Sequence, residues 1–98
     1  MQVKIHDSYR KIVAIADSDL IGKTFEEDIR IIEVRDNFFK GEEKTREEVI
    51  GIMRDFERED ATFNIVGKES VKAALDAGII QEHGITKIDN IPIALGLF

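Results

Sequence analysis

Between Ala61 and Ile80 the chain reads ATFNIVGKESVKAALDAGII, a strand, a glycine turn and a capped amphipathic helix in unbroken succession. Thr62 to Val66 is short and β-prone, and Gly67 releases the chain into a helix over about Lys68 to Ala77. Val71, Ala74 and Leu75 form the stripe that this helix buries. Gly78 stands where a left-handed C′ residue ends a helix, with Ile79 or Ile80 folding back onto the last turn. One supersecondary unit is placed in this way, and none of its residues is an obvious catalyst.

A second helix announces itself at Thr45-Arg46-Glu47-Glu48. This is a capping box, in which the Thr45 hydroxyl accepts from a first-turn amide and Glu48 reaches back to the cap amide. Val49, Ile52, Met53 and Phe56 follow at i, i+3, i+4 and i+7 and gather on one face. Gly51 inside it costs about 1 kcal/mol relative to alanine, so packing must carry the helix. The acids from Asp55 to Asp60 oppose the dipole at a C-terminus, which predicts a stop near Glu57 to Glu59.

Elsewhere the pattern is that of strands. Gln2 to His6 and Arg10 to Ala16 flank the turn-rich Asp7-Ser8-Tyr9 and predict a hairpin, with Val3, Ile5, Ile12, Val13 and Ile15 supplying core contacts. Asp17 to Asp28 loses its period and reads as a loop with one helical turn at Ser18 to Ile21. Ile29 to Val34 reads as a third strand, and Asp36 to Lys44 as a loop with one of Phe38 and Phe39 buried. Ile85 to Ile88 and Ile91 to Phe98 form a second hairpin around Asp89-Asn90. Pro92, which cannot donate to a ladder, belongs at a strand start or on an edge. The apolar run from Ile91 to the end is expected to be an interior strand, the alternative being an edge that pairs with another chain. The expected class is α+β: a small mixed or antiparallel sheet, built from two hairpins plus additional strands and packed against two helices.

Composition narrows the function classes. Ninety-eight residues suffice for one core and one domain, 1–98. With no cysteine, disulfides, thiolate metal sites and cysteine nucleophiles are excluded. The N-terminus lacks the apolar segment of a signal peptide and no run is long enough to span a bilayer, so a soluble cytoplasmic protein without membrane contact is expected. A net charge of −6 disfavours a sequence-independent grip on nucleic acid.

Four constellations come near to a site. Gly22-Lys23-Thr24 resembles the end of a phosphate-binding loop, yet the first glycine of that motif would fall at Asp17, an acid that repels phosphate. Asp17, Asp19, Gly22 and Asp28 echo a calcium loop, but Ile21 occupies the third ligand position and strands flank the segment, so no metal is expected. His6 and His83 are each alone, and Ser8, Ser18 and Ser70 have neither an adjacent base nor a nucleophile-elbow frame, so no catalytic residue is assigned. Gly67-Lys68 is the best ligand feature, because free amides at a helix start attract an anion. Against it, Gly67 reads equally as a plain N-cap, with Glu69 already complementing the dipole. Asn64, polar within an apolar strand, caps that turn or ties down a loop. The weak ligand-binding set is therefore Gly22, Lys23, Thr24, Asn64, Gly67 and Lys68, with no cofactor.

Three segments, VAIADSDLIGKTF (Val13 to Phe25), NFFKGE (Asn37 to Glu42) and Ala61 to Ile80, resemble in order and spacing an archaeal family of small uncharacterised proteins, domain of unknown function 424. The resemblance covers nearly the whole chain and implies an α+β fold with no established activity. Two departures stand out. Phe39-Lys40-Gly41 replaces an aromatic followed by Gly-Gly, and Pro92-Ile93-Ala94 replaces Pro-His-Ala. If that histidine served a chemical role, this chain has lost it.

The reading that follows is a noncatalytic interaction module of a larger cytoplasmic machine, linked to translation or RNA metabolism, with a protein partner or self-association. Its alternative is a small-molecule, nucleotide or phosphate-binding enzyme using the Gly22 to Phe25 loop and the Gly67-Lys68 turn. A third reading is RNA binding through Lys40, Lys44, Arg46, Lys68 and Lys72.

Overall fold

The computed structural model describes residues 1–97; Phe98, expected in the last strand, lies outside them. Strands β1 (Gln2–His6) and β2 (Ile12–Ala16) form the first hairpin, with Val3 opposite Ile15 and His6 opposite Ile12. A single 3-10 turn at Ser18–Leu20 leads to β3 (Thr24–Glu27) and β4 (Arg30–Glu33), a separate two-stranded sheet. There follow the one-turn helix α1 (Asp36–Phe39), β5 (Glu42–Glu43), α2 (Arg46–Arg58), β6 (Thr62–Val66), α3 (Lys68–Ala77), β7 (Thr86–Ile88) and β8 (Ile91–Leu97). The main sheet has the order β5-β1-β2-β6-β8-β7, and only β2 and β6 in it run parallel.

The sheet is covered on both faces, which explains why β2 is apolar at every position rather than alternating. Val13 and Ile15 join Phe63 and Ile65 under α2 and α3, packed with Val49, Met53, Val71 and Ala74. Ala14 and Ala16 turn the other way, into a cluster with Leu20, Val34, Phe39, Val66 and Ile93. The small alanines leave room there for the Phe39 ring, and α1 packs over β1 and β2 while the β3–β4 hairpin packs against β7.

The helices follow their sequence signals. The Thr45 capping box is made in both directions, Glu48 N to Thr45 Oγ1 at 3.2 Å and Thr45 N to Glu48 Oε1 at 2.9 Å, and α2 ends at a Glu59 C-cap. Gly78 caps α3 at φ 78° and ψ 14°, and the Ile79 amide bonds back to Ala74 O. Asp89 and Asn90 both have positive φ, the signature of the two-residue turn whose twist suits a hairpin.

Three expectations are corrected. The segment read as a loop from Asp17 to Asp28 contains β3, whose single apolar residue, Phe25, is too little to show a period; β3 exists because β4 pairs with it. The expected third strand, Ile29 to Val34, is present as β4 and pairs with β3 in the small hairpin, where Ile31 is 54% exposed. Asp36 to Lys44 holds α1 and β5. Ile5, expected in the core, is 42% exposed, since β5 is too short to shelter the far half of β1. Pro92 stands at the start of β8, as expected, opposite Lys87, at the end where β6 has already turned away and the Pro92 carbonyl accepts from Gly67 N at 2.9 Å.

Candidate functional site

The C-terminal ends of the parallel strands β2 and β6 lie side by side, and the residues that follow them, Asp17 and Gly67, meet there. Asp17 N donates to Val66 O at 3.1 Å. The Asp17 carboxylate crosses to the start of α3, where Oδ2 accepts from Glu69 N at 3.1 Å and Oδ1 accepts from Ser70 N at 2.8 Å and Ser70 Oγ at 2.7 Å. Asp17 is 6% exposed and Ser70 fully buried. Gly67, the N-cap, has no side chain to offer its own helix, and Asp17 performs the capping from another strand. The backbone of Gly67 sits at φ 114° and ψ 156°, a region essentially confined to glycine, and a Cβ there would collide with the Asp17 carboxylate.

This arrangement bears directly on the anion reading of Gly67-Lys68. The amides that would hold an anion already hold a carboxylate of the chain itself, and a second negative group would meet it. The amides of the other loop are similarly engaged: Gly22 N donates to Val34 O at 2.7 Å and Lys23 N to Leu20 O at 3.0 Å. Gly22 lines an open cleft of about 380 Å³ with Gln2, Ser18, Ile21, Asp36 and Lys40, to which Lys23, Thr24, Gly67 and Lys68 do not contribute. Asn64 stands half-buried on β6 level with Ala14. Of the basic residues proposed for RNA, Arg46 and Lys72 both approach Asp76, at 2.6 and 3.9 Å.

On the far side of α1 lies a cleft of about 410 Å³, lined by His6, Glu33, Arg35, Asn37, Phe38 and Phe39. The His6 ring stacks on Phe38 with centroids 4.5 Å apart and planes 20° from parallel, and Phe38 meets Phe39 edge-on at 5.0 Å. His6 Nε2 lies 2.8 Å from Phe38 O. A carbonyl can only accept, so Nε2 carries the proton and Nδ1 keeps a lone pair in the neutral ring. Arg35 Nε donates to Glu33 Oε2 at 2.9 Å, and that bond raises the guanidinium pKa further above its ordinary value. Lys4 Nζ ties down the backbone of α1 through Asn37 O at 2.8 Å. The sequence held one signal for this site: His6 has the opposite parity to Val3 on β1, so it cannot share the face that α2 covers. The pairing with Phe38, 32 residues away, had no local signature. His83 lies in the Glu82–Gly84 turn, remote in sequence and element from either cleft.

Beside the cleft that Gly22 lines, Glu43 is a junction for the N-terminus, bonded to the cleft residues Gln2 and Ser18. It accepts from the Met1 ammonium at 2.5 Å, Ser18 Oγ at 2.6 Å and Gln2 Nε2 at 3.1 Å. The ammonium, then Ser18, hold its carboxyl down at about 2. Gly41 closes the same corner, because a Cβ on it would collide with the Val3 carbonyl, while its amide donates to Gln2 Oε1 at 3.0 Å. No group of His, Cys, Asp and Glu among the described residues could hold a metal ion, and no helix among them is long and apolar enough to cross a membrane.

Fold and clefts together define a small mixed α+β domain with a doubly covered sheet. Residues 5–96 match a family described as protein of unknown function, DUF424, and the chain belongs to that family. No curated protein matches it. Its fold is similar to the crystal structure of an uncharacterized conserved protein from the archaeon Methanopyrus kandleri, with a TM-score of 0.84 at 20% identity over 95% of this chain and 86% of that one. Ile93, the middle residue of Pro92-Ile93-Ala94, is 2% exposed in the cluster with Ala16 and Val66, so it fills core.

Proposed function

We propose that this chain is a noncatalytic interaction module that docks on a protein of a larger cytoplasmic assembly concerned with translation or RNA metabolism. The observation that carries the reading is the β3–β4 hairpin. Ile29 at its tip is 98% exposed and Ile31 on its outer face 54%, on a sheet of two strands apart from the main one. Large β-branched side chains held out in water on a rigid hairpin cost solubility and contribute nothing to the core; covering them with a partner recovers about 25 cal/mol per Å² of apolar surface. Acids and one arginine surround them, as in the polar rim of an interface. The phosphate-binding enzyme reading draws no comparable support, since Asp17 already fills the helix start on which it depends.

The test is a pull-down of the tagged protein from its own host's cytoplasm, with and without RNase, beside an Ile29→Asp/Ile31→Asp variant of unchanged thermal stability. Wild type should retain a defined protein that the variant loses, and retention after RNase marks direct protein contact. Equal recovery by both proteins would remove the hairpin from the interface and this reading with it.

A further inference from the structure

We propose that the cleft between α1 and β4 receives a guanine base, either of a free nucleotide or unpaired in an RNA strand. This goes beyond the docking reading and rests on other residues, at the α1 end of β4 rather than at the hairpin tip. The cleft, at about 410 Å³, falls within the range of small-ligand sites. One wall is aromatic: the stacked His6 and Phe38 rings, backed edge-on by the buried Phe39, and the stacked pair is a platform of the kind on which unstacked bases lie. The rim is an arginine and a carboxylate held side by side. Arg35 spends Nε on Glu33, which orients its plane and leaves the paired Nη donors for two adjacent acceptors. Guanine presents two such acceptors, O6 and N7. Glu33, with one carboxylate oxygen engaged, keeps the other to accept from the N1–H and N2–H₂ donors on guanine's next edge.

Alternative bases fit this rim poorly. Adenine offers the N6 amino donor where guanine offers O6, setting donor against donor at Arg35, and it has no N–H for Glu33 at N1. Cytosine and uracil lack the N7 acceptor. His6, with Nε2–H fixed on Phe38 O, retains Nδ1 as an acceptor for a ribose hydroxyl. A net charge of −6 makes the base, rather than the phosphate backbone, the recognised group, so affinity should fall only slightly with salt.

The experiment titrates the ¹⁵N-labelled full chain with GMP, AMP and two short single-stranded RNAs that differ only in one central G or A, following His6, Arg35 and Phe38. Guanine should shift these three resonances and bind at least tenfold tighter than adenine. Arg35→Ala and Arg35→Lys should each weaken guanine at least tenfold with melting unchanged, the lysine because a point charge cannot bridge two acceptors. Binding of GMP supports a nucleotide source, and binding of the G-containing RNA alone supports a strand. Absence of cleft shifts with millimolar GMP and with both RNAs, or equal affinity for G and A, would overturn the proposal, and the hairpin variant is expected to behave as wild type throughout.

Discussion

Removing the Asp17 carboxylate should be among the most damaging changes available to this chain, because one side chain joins two elements and caps the second. Asp17→Ala strips three bonds at once and leaves Ser70 Oγ, fully buried, and the Glu69 and Ser70 amides without partners. Loss of an N-cap costs about 1 kcal/mol, and each buried donor left unsatisfied costs roughly 1–3 kcal/mol. Partial relaxation and water entry reduce the sum, and we expect roughly 3 kcal/mol, on the order of 12–24 °C in Tm for a domain of this size. Gly67→Ala tests the same contact from the other side. Its cost has two parts, about 1–3 kcal/mol of backbone strain at a glycine-only conformation and the collision of the new methyl with the Asp17 carboxylate. In an Asp17→Ala background the collision vanishes while the strain remains. Urea denaturation of both single variants and the double should therefore show a coupling of at least about 1 kcal/mol, the double being less damaged than the sum. Strict additivity, or a cost below about 1 kcal/mol for Asp17→Ala, would refute the clasp.

Two further outcomes follow from the same geometry. Gly51 faces open space, with nothing within 4 Å of the position a methyl group would take, so Gly51→Ala should stabilise the protein by up to about 1 kcal/mol in thermal melts; a loss of stability would show that the site is not open. Glu43 should titrate near 2 by NMR, and acetylating the Met1 amine should raise that value. Because its folded pKa lies below the ordinary 4.5, Glu43 stabilises the fold fully above about pH 4.5, and its contribution fades as pH falls through about 2. Glu48, lowered by the Thr45 backbone and hydroxyl, adds to the same acid-side loss, so a melt that improved on acidification from pH 5 to pH 3 would contradict both.

Local chemistry was legible and long-range pairing was not. The Thr45 capping box, the α3 unit with its Gly78 end, and the Asp89-Asn90 turn all depend on neighbours within five residues, and each took the expected form. The β3 strand could not be read because Thr24, Glu26 and Glu27 are exposed; with only Phe25 to bury, its conformation is set by pairing with β4, outside any local window. Likewise Ile5 is as β-prone as Val3, and its exposure is decided by where β5 stops. At the candidate site, Gly67 and Lys68 carried a true signal of a helix start, but the group that satisfies it lies 50 residues earlier at Asp17. His6 looked like an isolated surface histidine for the same reason, since its partner is a main-chain carbonyl and leaves no mark in sequence.

The three segments that carry the family resemblance prove to be parts of two joints. VAIADSD meets NIVGKES through the Asp17 carboxylate, which needs an acid at the end of β2, a glycine facing it and a serine hydroxyl behind it. NFFKGE meets β1 through Gly41 against the Val3 carbonyl and Phe38 against His6. Residues that close joints are constrained by the fold and are poor guides to activity, which is why motifs so easily matched say little about chemistry. The side chains free to specify a ligand are those the joints present: Glu33 and Arg35 project beside the His6–Phe38 stack without contributing to the core, and Ile29 and Ile31 project from the hairpin. A search for function in this family therefore belongs on the surfaces flanking α1 and β4, where substitution can change binding without unfolding the protein.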